Sequence, residues 1–215
     1  MAFGEVGTSL SKIKANSLNL AGTFGFSGTV SGLADETPLV LISTFTSDGS
    51  DADAQFTSGI DSTYKEYLFV INNIHPESDF KSFMFNASVD GGSNYNVSKT
   101  TSSFRAIQNE SATTAFGNRA SSTGADEDTG DMYIADGVGN DNDQSVSGLV
   151  RLYNPSSTTF VKIISTESQH YQKDNYSMHI FNAGYCNTTS AINAVRFRFN
   201  EGEIQGGTID LFGVV

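Results

Sequence analysis

The chain has 215 residues, a length that allows one domain with its own core, or one domain carrying a small appendage. Ser, Thr, Asn and Gly supply 86 of those residues, and 16 Phe and 8 Tyr stand beside no Trp, which is the composition of short strands joined by many turns. The formal net charge of −12 argues against nucleic acid and anionic membrane surfaces as partners, because neutralising phosphates needs a basic footprint.

Taken in chain order, the first residues show no basic segment followed by an apolar core, so no secretory leader is expected. Residues 15–34 are uncharged but filled with Ser, Thr, Asn and Gly, whose polar groups hydrocarbon would not tolerate, so no membrane insertion is expected. Within residues 1–34, Leu18, Leu20, Phe24, Phe26 and Val30 alternate with small polar residues. One chain's short strands leave such a face wet, so this segment reads as an assembly or docking arm, with an extra edge strand of the same domain as the alternative.

Beyond the arm, residues 35–215 read as one β-sandwich, with apolar and polar residues alternating at period two. The alternation predicts strands at 24–30, 39–45, 64–71, 80–87, 104–107, 146–153, 159–164, 178–181, 195–199 and 208–212. Asp90-Gly91-Gly92-Ser93-Asn94 reads as a hairpin connection, Asn154-Pro155-Ser156-Ser157 as a proline-initiated turn, and Asn200-Glu201-Gly202-Glu203 as the turn between the last two strands. Residues 110–144 depart from the pattern. They are rich in Ala, Ser, Thr, Gly and acids, with Met132-Tyr133-Ile134 as the one apolar anchor, and read as a long acidic loop displayed to solvent.

Catalytic patterns are missing from the sequence. His75, His170 and His179 form no metal spacing, and no nucleophile elbow or phosphate-cradling glycine loop occurs. Cys186 has no His or basic neighbour in sequence and reads as an inert thiol, and a single cysteine leaves no intramolecular disulfide. The expectation is a protein without enzymatic activity that folds in a reducing cytoplasm. No cofactor is expected; calcium is the one metal whose oxygen-donor chemistry fits, on Asp136, Asp141 and Asp143, although the order of acids is not that of an EF-hand. Tyr64, Tyr95, Tyr133, Tyr153 and Tyr185 are the candidate receptor or glycan surface, since tyrosine rings must supply any stacking platform where tryptophan is lacking.

A more specific pattern lies in the order of segments. Tyr64-Lys65-Glu66-Tyr67-Leu68-Phe69-Val70-Ile71 leads through Asp90-Gly91-Gly92-Ser93-Asn94-Tyr95 and Gly148-Leu149-Val150-Arg151-Leu152-Tyr153-Asn154-Pro155 to the closing Gly206-Gly207-Thr208-Ile209-Asp210-Leu211-Phe212-Gly213-Val214. This order resembles the jelly-roll module of bacteriophage virion proteins, found in tail-fibre, receptor-binding and head-decoration proteins, especially of marine phages. The resemblance covers about residues 38–215. It implies an all-β, antiparallel jelly-roll-like sandwich preceded by a short N-terminal β arm. It further implies a non-enzymatic virion structural protein, commonly a homotrimer, made in the host bacterial cytoplasm and exposed on the particle. A tail-fibre or host-adhesion role is the first expectation and capsid decoration the alternative. The partners it implies are further copies of the chain, other virion proteins reached through the arm, and a host surface glycan. A carbohydrate-binding module outside any virion and a polysaccharide-degrading enzyme are the readings from other classes.

Overall fold

Each strand expected from residue 39 onward overlaps an observed strand, although residues 64–65 and 159–161 precede the strands Glu66–Pro76 and Lys162–Gln172 instead of belonging to them. The computed structural model describes residues 38–118 and 126–215. The arm residues Leu18, Leu20, Phe24, Phe26 and Val30, together with the expected strand at 24–30, lie outside the described residues. Thirteen strands follow in chain order: β1 (Leu39–Thr46), β2 (Ala54–Phe56), β3 (Glu66–Pro76), β4 (Lys81–Ser88), β5 (Lys99–Asn109), β6 (Thr114–Asn118), β7 (Asp126–Asp128), β8 (Met132–Val138), β9 (Val146–Tyr153), β10 (Lys162–Gln172), β11 (Tyr176–Cys186), β12 (Ala194–Phe199) and β13 (Ile204–Val214). No helix occurs among the described residues.

Every strand pair is antiparallel, and eight strands form a jelly roll. One four-stranded layer has the order β1-β13-β3-β9 and the other β2-β12-β4-β8. The chain crosses between layers at β1 to β2, β2 to β3, β3 to β4, β8 to β9, β11 to β12 and β12 to β13. The turns at 90–94 and 200–203 therefore link different layers instead of closing hairpins, whereas 154–157 does join two paired strands. Gly91 and Gly92 hold φ of +73° and +90°, values that glycine tolerates, which lets the chain reverse tightly after β4.

The core lies between the two layers. Phe69 of β3 meets Phe197 of β12 with ring centroids 5.3 Å apart, and Phe56, Phe83 and Phe85 surround the same ring at 6.2, 6.0 and 5.7 Å. Ile71, Ile74, Val150, Leu152, Ile209 and Leu211 complete the face contributed by the first layer. Burying such side chains contributes about 1.5–3 kcal/mol each, which sets the register of both sheets.

Two inserts enlarge the first layer. Residues 89–131, between β4 and β8, carry β5, β6 and β7; residues 154–193, between β9 and β12, carry β10 and β11. Together they extend the sheet as β9-β10-β11-β5, with β6 and β7 on the outer edge of β5. β10 also meets the end of β8 at Gln172 and Val138, so the extension wraps back over the second layer. The close approach of β5 and β11 depends on Gly184, where any Cβ would strike the Thr100 carbonyl.

The stretch at 110–144 is thus not one long loop. Its described residues form β6, β7 and β8, and Met132, Ile134, Ala135 and Val138 of β8 are at most 1% exposed. The apolar anchor Met132-Tyr133-Ile134 is the visible part of a core strand. Its acidic flanks hide the alternation from sequence.

Candidate functional site

Between β8 and the wrapped extension lies a polar interior. Ser168 Oγ of β10 donates to the Ile134 carbonyl at 2.7 Å, and His170 Nε2 lies 2.9 Å from the Asp136 carbonyl oxygen. Asn182 Nδ2 of β11 donates to Thr166 Oγ1 at 2.7 Å and to the Tyr133 carbonyl at 3.3 Å. Buried polar groups are tolerated only when hydrogen-bonded, so these bonds fix the extension on the jelly roll instead of letting it slide. Asp136 Oδ2 lies 3.5 Å from Arg105 Nη1 and its Oδ1 accepts from Ser82 Oγ at 3.1 Å.

A second cluster joins β4, β5 and β12 to Asp131, the residue just before β8. Asp131 accepts from Arg198 Nε at 2.7 Å, Arg196 Nη2 at 3.1 Å and Asn86 Nδ2 at 2.9 Å, and Lys99 Nζ donates to Asn86 Oδ1 at 2.7 Å. Lys99 is fully buried, and burial lowers its pKa to about 8 although Cys186, Asp131 and Asp128 pull it upward.

Cys186 pairs with Lys99 across one neighbouring strand and with Lys162 across the other, so the sheet supplies the basic neighbours that the linear sequence lacks. Burial nevertheless dominates and pushes the thiol up to about 11, against the pull of both lysines. The expected result is that Cys186 of the folded protein resists a thiol reagent at pH 8 and reacts fully in denaturant; rapid labelling under native conditions would contradict it.

The extension's outer face is open. Leu149, Glu167, Phe181 and Phe104 form one cross-strand row; Ser147, Gln169, His179, Ala106 and Phe116 form the next; Tyr171, Ser177, Gln108 and Thr114 form a third. Along the first two rows runs an aromatic stack. His179 lies flat on Phe181 at 4.3 Å, Phe181 on Phe104 at 4.8 Å, and Phe104 leans against Phe116 at 5.8 Å. Phe104 is 41% and Phe116 77% exposed, so the stack is offered to solvent. His179 Nε2 lies 3.1 Å from Glu167 Oε1, fixing the end of the stack. Grooves of about 350 Å³ beside Phe104 and Phe181 and about 430 Å³ beside Phe116 and His179 line this stripe.

At one end of the same face is a larger groove of about 640 Å³. Its floor is Tyr171, Ser177, Gln108, Gln169 and Ser147, and its rim comes from three turns: Glu110 after β5, Ser145 before β9, and Asn175 between β10 and β11. Tyr171 Oη donates to Asn175 Oδ1 at 3.0 Å, and Gln169 Nε2 donates to Ser177 Oγ at 2.9 Å. Removal of solvent raises the Tyr171 phenol, and the negative charges of Glu110, Asp143 and Asp141 raise it further. Amides, hydroxyls and one phenol ring can exchange hydrogen bonds with a polyhydroxylated ligand.

The five tyrosines expected to mark the surface are spread over the fold. Tyr64 packs edge-on against Tyr67 at 5.8 Å, and Tyr95 hydrogen-bonds Gln55 at 3.0 Å beneath the Arg196 guanidinium. Tyr133 sits on β8, Tyr153 ends β9, and Tyr185 on β11 pairs with Ile163 and Thr100. All five are half-buried. Tyr171, Phe104, Phe116 and Phe181, which line the open face, are not among those five expected residues. Of the calcium candidates, Asp136 belongs to β8 beside Arg105, whereas Asp141 and Asp143 are exposed in the turn before β9. Among the described residues, no group of three or more His, Cys, Asp or Glu converges as a metal site.

Layer order and crossovers thus define the class as a jelly-roll β-sandwich with an extended first sheet. Comparisons with known proteins add no nearer relationship: no family model, no curated protein and no solved structure matches the chain.

Proposed function

We propose that this chain is a non-enzymatic bacteriophage virion structural protein, exposed on the particle, that serves as a tail-fibre or host-adhesion component. The observation that carries the reading is the solvent-facing stack Phe181-Phe104-Phe116, set between grooves on a sheet fixed from behind by a bonded polar layer. A rigid face with exposed aromatic anchors is suited to binding another surface. The segment order quoted above supports the phage setting. Self-association as a homotrimer, docking on other virion proteins through residues 1–34, and synthesis in the host cytoplasm belong to the same proposal. It needs no cofactor.

Two measurements test it. In purified particles, quantitative mass spectrometry is expected to find the chain at a handful of copies; hundreds would indicate head decoration, and absence would remove the virion role. In a whole-cell binding assay, the double variant Phe104→Ser, Phe116→Ser is expected to bind host cells at least tenfold more weakly with an unchanged melting temperature. Undiminished binding would show that the aromatic stripe is not the contact.

A further inference from the structure

We propose that the groove at the end of the extended sheet, floored by Tyr171, Gln108, Gln169 and Ser177, is a binding site for an uncharged saccharide of two or three rings and selects against acidic sugars. This assignment rests on the adhesion reading and names the ligand class of that face.

The first support is geometric. The floor lies on regular strands, where Tyr171, Ser177 and Gln108 are direct cross-strand neighbours on β10, β11 and β5. Their spacing is therefore fixed by backbone ladders, and the site is formed before any ligand arrives. At about 640 Å³ the groove falls within the range of small-ligand sites, and it is open along one side, as a chain of sugar rings requires.

The second support is chemical. Gln169 spends its Nε2 on Ser177 Oγ and the His170 carbonyl, which leaves its amide oxygen as an acceptor. Asn175 spends its Oδ1 on the Tyr171 hydroxyl, which leaves its Nδ2 as a donor. Gln108 is exposed and carries both functions. Adjacent donors and acceptors match vicinal hydroxyls, and the half-buried Tyr171 ring offers an apolar surface for the C–H face of a pyranose.

Charge supplies the selectivity. Glu110 stands on the rim, its charge and those of Asp141 and Asp143 act electrostatically on Tyr171, and among the described residues no lysine or arginine lines the groove. A carboxylate or sulfate brought here meets like charges without a counter-cation, a cost that a neutral ring avoids. Salt weakens that repulsion, because the acids are exposed.

The test uses the full chain and titrates it by NMR with cellobiose, lactose, maltose, chitobiose and 3′-sialyllactose. At least one neutral disaccharide is expected to bind at millimolar affinity or tighter, and at least tenfold more tightly than sialyllactose. Tyr171→Ala and, separately, Gln108→Ala are expected to weaken that binding at least fivefold with folded spectra retained. The triple variant Glu110→Gln, Asp141→Asn, Asp143→Asn is expected to narrow the discrimination against sialyllactose to under threefold, as is 0.5 M salt for the native chain. Binding of no neutral sugar, equal binding of sialyllactose by the native chain, or indifference to both floor variants would overturn the assignment. The two readings fail separately. Tyr171→Ala particles that still adsorb to host cells would remove the groove and leave adhesion, whereas sugar binding by a chain absent from particles would remove the virion role and leave the groove.

Discussion

Replacing Phe197 by alanine is expected to lower the free energy of unfolding by about 3–5 kcal/mol, the range for truncating a large core aromatic. For a chain of this size that corresponds to a fall in melting temperature of about 6–20 °C. The effect should be large because of where the ring sits. Phe197 is fully buried on β12, the strand between β2 and β4, and its ring meets Phe56, Phe83 and Phe85 of its own layer as well as Phe69 of the facing one. Four rigid rings cannot close over the space that one ring vacates, so the cavity persists and its lining loses dispersion contacts. Phe160→Ala is the matched control. That ring is 69% exposed, and its loss is expected to change stability by no more than about 0.5 kcal/mol. A Phe197→Ala loss below about 1 kcal/mol in chemical denaturation would show that the two layers are not joined through this ring.

Asp131→Ala is expected to cost about 3 kcal/mol or more, because it removes the acceptor shared by Arg196 and Arg198 and leaves their charges facing a low-dielectric interior. The Asp131 side chain is only 7% exposed, while that of Arg198 at 39% can turn toward water, which places the loss at the lower end for a broken buried pair. The pH dependence has a definite sign. Burial pushes the Asp131 carboxyl up, but hydrogen bonds from Arg198 and Asn86 and the charges of both arginines outweigh it and hold the group below the usual 3.8. The folded state therefore takes up this proton less readily than the unfolded one. The resulting stabilisation is complete above the unfolded value near 3.8 and fades as pH falls through the lower folded value. Denaturation followed from pH 6 to pH 2 should show a steeper acid loss in the native protein than in Asp131→Asn. Parallel curves would remove Asp131 as the source.

The jelly-roll strands were easier to read from sequence than the extension, and the reason is what each strand faces. Residues 146–153 alternate Val, Gly, Val and Leu against an apolar core, and the expected bounds coincide with β9. In β10 and β11 the buried inward positions include Thr166, Ser168, His170, Gln172 and Asn182, of which Ser168, His170 and Asn182 meet backbone carbonyls of β8. A strand that is polar on both faces shows little alternation of hydrophobicity, so 159–164 and 178–181 located these elements but missed most of their length. The candidate site suffered in the same way. Tyr171, Ser177 and Gln108 become neighbours only through the pairing of β10, β11 and β5, whose partners are distant in sequence. Lys99, Cys186 and Lys162 repeat the lesson: a basic setting for the thiol arises across strands and leaves no trace in its flanking residues.

The way the extension is assembled limits how its surface can be exchanged. β5 belongs to one insert and β10 and β11 to another, yet β5 and β11 are paired along their whole length from Lys99 with Cys186 to Asn109 with Tyr176. Cutting out either insert alone would expose a long strand edge, a row of unpaired N–H and C=O groups ready to recruit another chain. The outer face of the extension is therefore a joint product of two separate stretches of gene. Turn residues such as Glu110, Asp143 and Asn175 can be changed in place without touching a strand pairing, but a transplant of the face as one contiguous cassette would arrive without half of its sheet.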